Sequence, residues 1–139
     1  MFVTTIAPFT TLVLLLVWMG FFMLGSLPLM ILKHDTPMDA RFIRGLFDAY
    51  YKAVMVVAAA GTLACAVAQR PALTAVMIAV GALAFWSRRR ILPRMDGLRA
   101  TMTANDAQGI SRFRRLHVLG MLLNVAQLAT LCAALPAVL

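Results

Sequence analysis

From Ile6 to Leu32 the chain carries no ionisable side chain. A helix of that length outreaches the roughly 20 residues that cross a bilayer core about 30 Å thick. Three further apolar runs follow, Ala53 to Ala68, Ala72 to Trp86 and Leu116 to Leu139. Backbone N–H and C=O groups in hydrocarbon must be satisfied internally, so the runs predict an all-α, four-helix transmembrane bundle. With flanking residues added, the spans fall at about 6–32, 47–68, 71–87 and 115–138 of a single integral membrane domain, residues 1–139. The second span then lets Lys52 snorkel and sets Tyr50 and Tyr51 at head-group depth. Residues that are 63% hydrophobic and 13% charged exclude a water-soluble domain, whose outer shell needs more polar side chains.

The cations set the orientation. Lys33, Arg41, Arg44 and Lys52 lie between the first two runs, and Arg88, Arg89, Arg90, Arg94, Arg99, Arg112, Arg114 and Arg115 lie between the last two. Only Arg70 lies opposite. The positive-inside rule therefore places both basic connections in the cytoplasm and both termini on the non-cytoplasmic side. A net charge of +8 and a pI near 11.1 would point to nucleic acid in a soluble chain. Here the cations form strips beside apolar spans, and no nucleic-acid partner is expected. A rim of Arg41, Arg44, Lys52, Arg88, Arg89, Arg90, Arg112, Arg114 and Arg115 is expected to meet lipid head groups and attract anionic lipids. No cation precedes the first run, and that run is longer than a signal-peptide core, so it is expected to stay as a helix. The predominance of Arg over Lys, with abundant Ala, suggests a GC-rich bacterial genome and a multi-pass protein of the inner (plasma) membrane.

Gln69-Arg70-Pro71 is a tight link in which Pro71 suits the first turn of a helix, so spans two and three are antiparallel neighbours and the bundle is two hairpins. The stretch from Met95 to Ser111 reads as a loop with helical shoulders. Arg41-Phe42-Ile43-Arg44 and Arg112-Phe113-Arg114-Arg115 echo each other ahead of spans two and four. Two parallel repeats, or the recurrence of basic and aromatic residues at interfaces, both account for this.

In the fourth span His117, Gly120, Asn124 and Gln127 recur at helical spacing on one face, while Leu119, Leu122, Leu123 and Val125 point elsewhere. Polar side chains in hydrocarbon turn toward other helices. The stripe is either packing glue, in which case Asn124→Leu weakens the bundle, or the lining of a small-ligand pocket. Cys65 and Cys132 reach similar depth, so a disulfide, or a soft-metal site with Met19 and Met23, is conceivable beside the plainer reading of sulfur-rich packing. His34, His117 and Asp35 or Asp39 form a thinner metal candidate at the basic mouth. Asp48, four residues from both Arg44 and Lys52, predicts a cation-anion-cation ladder. Pro28 beside Gly25 and Ser26 predicts a kink, and Trp18 is too central for an interfacial anchor. The chain has no glutamate and offers no nucleophile–base pair, carboxylate pair or phosphate loop. Hydrolytic chemistry and proton-coupled transport are therefore not expected, and no catalytic residue is assigned.

Gly20-Phe21-Phe22 with Pro28, Phe42 with Gly45-Leu46-Phe47, Ile91-Leu92-Pro93 with Arg99, and Phe113-Arg114-Arg115-Leu116-His117 followed by Asn124 together resemble a family of four-helix membrane proteins. This is the domain of unknown function 4149, or transmembrane protein 205-like, family. The resemblance makes His117 and Asn124 pattern positions but brings no reaction with it. Copper-resistance-D-like and anthrone-oxygenase-like membrane proteins are similar in outline, although this chain lacks their additional histidines. The leading expectation is a non-enzymatic accessory or interaction subunit that contacts other membrane proteins or its own copies. Binding of haem, quinone, lipid or a soft metal between helices stands second, with the cofactor undetermined, and an oxygenase-like enzyme stands third.

Overall fold

The computed structural model describes residues 2–31, 37–103 and 105–137. They form four long helices, α1 (Phe2–Ile31), α2 (Pro37–Val67), α3 (Pro71–Thr101) and α4 (Ala107–Ala134), and a short 3-10 turn at Leu135–Ala137. Each helix contains a stretch long and apolar enough to cross a membrane. The helices pack in a ring in which each touches its sequence neighbours and α1 closes against α4, the α2–α3 contact being the most extensive.

The ring follows from one period repeated in all four helices. A buried stripe runs through Leu12, Leu15, Met19, Phe22 and Ser26 in α1, and Ile43, Phe47, Tyr50, Val54, Ala58, Gly61 and Cys65 in α2. In α3 it runs through Leu73, Met77, Val80, Ala84, Ser87 and Ile91, and in α4 through Phe113, His117, Gly120, Asn124, Gln127 and Leu131, with further buried residues such as Tyr51, Leu92 and Met121 beside it. Steps of three and four, strictly alternating in α1, α3 and α4, mark the seam of a left-handed bundle. Along the apolar stretches the outer surface is greasy as well as the inner one. Val17, Leu24, Val56 and Leu122 stay 66%, 72%, 69% and 61% exposed, while Ser26, Ser87, His117, Asn124 and Gln127 are all buried. A soluble monomer does not show so broad an apolar exterior, whereas a membrane bundle turns its polar side chains inward.

Three helix ends have clear local causes. Pro71 opens α3, as its position in the link predicts. Before it, the Arg70 N–H donates to the Cys65 carbonyl and the Gln69 N–H to the Ala66 carbonyl, both at 3.0 Å, which closes α2 in a Schellman motif. Gln69 takes the left-handed conformation with φ 56°, the place where glycine is usually found. At the start of α4, the Asp106 carboxylate accepts a 2.9 Å hydrogen bond from the Gly109 N–H.

The helices run well past the apolar runs. α2 begins at Pro37 and α3 continues through Arg88, Pro93 and Arg99 to Thr101, so the helical shoulders take up most of the stretch from Met95 to Ser111 and leave a loop of a few residues. Ion pairs explain the extension. Arg44 grips Asp96 with Nε to Oδ1 at 2.9 Å and Nη2 to Oδ2 at 3.0 Å, and Arg88 Nη2 reaches Asp48 at 2.9 Å. Both pairs tie α2 to α3 on helical backbone beyond the apolar zone. The ladder expected within α2 is therefore corrected. Asp48 does take Lys52 at 2.6 Å, but its second cation is Arg88, and Arg44 turns across to Asp96.

Farther along the same seam, a Cβ added to Gly61 would meet Met77 Sδ at 3.0 Å and Thr11 Oγ1 at 3.2 Å, and one on Gly81 would meet Ala58 Cβ at 3.3 Å. Small residues set this close approach. α1 passes through Pro28 as one continuous helix. Trp18 lies on its exposed face, stacked on Phe21 with ring centroids 6.0 Å apart. The echo between Arg41–Arg44 and Arg112–Arg115 is out of phase, because Phe42 is exposed and Phe113 buried.

Candidate functional site

The polar stripe of α4 faces α2 across the bundle axis. Gln127 does the bridging. Its Oε1 accepts from the Tyr50 hydroxyl at 3.2 Å and its Nε2 donates to the Val80 carbonyl at 3.1 Å, so one amide joins α2, α3 and α4. Three and seven residues earlier on the same face come Asn124 and Gly120. Gly120 makes room for Phe47, whose ring edge occupies the space a Cβ would take. His117 is fully buried and stands edge-on to that ring, with centroids 5.5 Å apart.

Around these residues an aromatic cluster closes the interior. Phe22 stacks on Tyr50 at 4.0 Å and meets Phe47 edge-on at 5.0 Å, while Tyr51 lies 5.8 Å from Phe47 and 5.2 Å from Tyr50. Tyr50 and Tyr51 both turn into the bundle, each only 2% exposed. The amphipathic ring that suits an interface suits a polar layer inside a bundle equally well.

The layer is only partly satisfied. Ser26 Oγ, the Tyr51 hydroxyl and both amide atoms of Asn124 are buried and have no hydrogen-bond partner among the described residues. Asn124 stands beside the Tyr50 hydroxyl and Ser87 beside that of Tyr51, in each case outside hydrogen-bond geometry. An unpaired buried polar group costs about 1–3 kcal/mol. Of the four stripe residues, Gln127 is therefore glue, Gly120 is a clearance for Phe47, and Asn124 is an open amide.

The sulfur candidates are separated by environment. Cys65 is buried, Cys132 is exposed on α4, and both are free thiols. Met19 is buried on the inner stripe of α1, and Met23 is half-buried one turn on. Among the described residues no three His, Cys, Asp or Glu side chains gather into a metal-sized group. His34 and Asp35, the other half of the histidine candidate, lie outside the described residues.

At the basic end the cations divide into two classes. Arg44, Lys52, Arg88 and Arg99 are engaged by Asp48 and Asp96. Arg89 lies over the Phe85 ring at 5.0 Å, and Arg41, Arg90, Arg94, Arg112, Arg114 and Arg115 are exposed. At the opposite end Arg70 Nη1 donates to the Ala137 carbonyl at 2.7 Å, joining the α2–α3 turn to the end of α4.

Two features were not anticipated from sequence. Ser26 and Ser87 belong to the buried layer, and the steps of three and four in α1 and α3 were the signal that could have placed them there. The second is an open groove between α2 and α3, floored by Ala58, Ala59, Gly81 and Ala82 and walled by Met55, Leu63, Ile78 and Phe85, with a volume of about 550 Å³. No family model, curated protein or solved structure matches this chain.

Proposed function

We propose that this integral membrane protein is a non-enzymatic accessory or interaction subunit that seats an apolar transmembrane helix of a membrane partner in the α2–α3 groove. The carrying observation is that groove, in which small side chains form the floor and large apolar ones the walls. No charge lines it and the Thr62 hydroxyl in it is turned to the Ala58 carbonyl, so an apolar occupant suits it, and the small side chains of Ala59 and Ala82 let another backbone approach closely. The proposal includes an orientation with the basic end in the cytoplasm and both termini outside, in a bacterial inner membrane. The likeness to the 4149 family fits a four-helix membrane protein of this size and adds no reaction.

A photo-crosslinking side chain at Ala82, activated in native membranes, tests the docking. The expected result is a protein adduct of defined mass that disappears with Ala59→Leu, while the same probe at Leu122 on α4 gives lipid adducts only. Lipid adducts alone at Ala82 would contradict the reading. A second copy of this chain in the adduct would identify the partner as the protein itself.

One observation favours a second reading, a small polar ligand held between α1, α2 and α4. Asn124 and the Tyr51 hydroxyl keep buried hydrogen-bonding atoms unpaired near the cluster of Phe22, Phe47, Tyr50 and Tyr51, and a small polar molecule would pair them. An absorption spectrum, metal analysis and solvent extraction with mass spectrometry of the purified protein test it. A stoichiometric haem, quinone or other small molecule supports this reading, and a preparation free of all of them contradicts it.

A further inference from the structure

At the basic end, on the side of α3 away from α2, α3 and α4 part to leave a second open groove of about 480 Å³. Leu98, Leu116 and Leu119 wall it, and Arg94, Arg112 and Arg115 also line it. The space at Gly97 is open, since a Cβ there would meet nothing within 4 Å. The arrangement is helical arithmetic. Arg94, Gly97 and Leu98 share a face of α3, and Arg112, Arg115, Leu116 and Leu119 share the facing side of α4.

The charge here is uncompensated. No carboxylate among the described residues lies within ion-pair distance of these three arginines. Asp48 and Asp96 are engaged by other cations, and Asp106 caps α4. Three guanidinium groups bordering a low-dielectric wall repel one another and attract an anion strongly. A small free anion would satisfy them but leave the leucine wall uncovered. A hydrocarbon chain alone would cover the wall and leave the charges. The ligand that meets both halves carries an anionic phosphate at one end and an alkyl chain at the other.

We propose that this groove is a binding site for an acidic phospholipid of the adjoining leaflet, with the phosphate on Arg94, Arg112 and Arg115 and an acyl chain along Leu98, Leu116 and Leu119. Guanidinium forks suit phosphate oxygens, and basic pockets between transmembrane helices at head-group depth are suited to acidic lipids. The site is independent of the helix-docking groove, which lies between α2 and α3.

Native mass spectrometry of the full chain in mild detergent, titrated with phosphatidylglycerol or phosphatidylcholine, tests it. The wild type is expected to retain phosphatidylglycerol preferentially. Arg94→Gln with Arg115→Gln should weaken that binding about 25-fold, at about fivefold per arginine. Gly97→Leu should also weaken it with no change of charge, because the new side chain fills the acyl path, and its exposed helical position leaves folding intact. Arg89→Gln with Arg90→Gln removes the same charge elsewhere on the rim and should cost no more than about fivefold. Equal losses in the two double variants would show a diffuse field and overturn the site. Undiminished binding in Gly97→Leu would overturn the acyl path, and inorganic phosphate competing as tightly as the lipid would overturn the lipid assignment.

Discussion

The α2–α3 seam and the polar layer between α2 and α4 are both interhelical contacts, built on opposite terms. Along the seam the groups are saturated. Arg44 and Arg99 meet Asp96, Lys52 and Arg88 meet Asp48, and Gly61 and Gly81 are filled by Met77 and Ala58. In the polar layer both amide atoms of Gln127 are paired, but Asn124 and Tyr51, with Ser26 elsewhere in the interior, keep open hydrogen-bonding groups. The seam supplies a hairpin whose inner contacts are complete, while its outward groove stays open. The layer holds helices together through one residue and leaves capacity in others, so chemistry inside the bundle is to be sought in the layer and not in the seam.

Substitutions within the layer break or sharpen that contrast. Gly120→Val should have the largest effect, because the added side chain overlaps Phe47 in a packed core, and overpacking of this kind costs about 1–3 kcal/mol. A lowered unfolding midpoint in a detergent titration checks it. Gln127→Leu removes both bridging hydrogen bonds, which are worth about 0.6 kcal/mol each in membrane bundles, and should cost about 1 kcal/mol in the same measurement. Asn124→Leu should change stability least, within about 0.5 kcal/mol or slightly upward, since it replaces an unpaired amide by an apolar side chain of similar size. A loss as large as that of Gln127→Leu would show that Asn124 is engaged after all, by a bound molecule or by its neighbours. This differs from the packing-glue reading of the stripe, under which Asn124→Leu weakens the bundle, and leaves the pocket reading open.

The sequence made the architecture legible because hydropathy and charge are read locally. Four apolar runs, the Pro71 turn and the spacing from His117 to Gln127 all survive in the structure. How far α2 and α3 run past their apolar runs was not legible, because that stretch is held by pairing Arg44 with Asp96 and Asp48 with Arg88, which are contacts between residues distant in sequence. The inward turn of Tyr50 was missed for a different reason. Hydropathy speaks of depth and not of facing, whereas the phase set by Phe47, Val54 and Ala58 turns Tyr50 inward. The two grooves were invisible because each needs the facing sides of two helices brought together.

The most direct test of a polar interior inside a lipid-facing shell is spin-label accessibility in bilayers, with Cys65→Ala and Cys132→Ala as background. Labels at Phe21, Val56 and Leu122 should collide freely with dissolved oxygen and hardly at all with a water-soluble nickel complex. A cysteine at Gln127 should resist alkylation until the bundle is unfolded. Nickel access at the three outer positions, or rapid alkylation at Gln127 in the folded protein, would contradict the account.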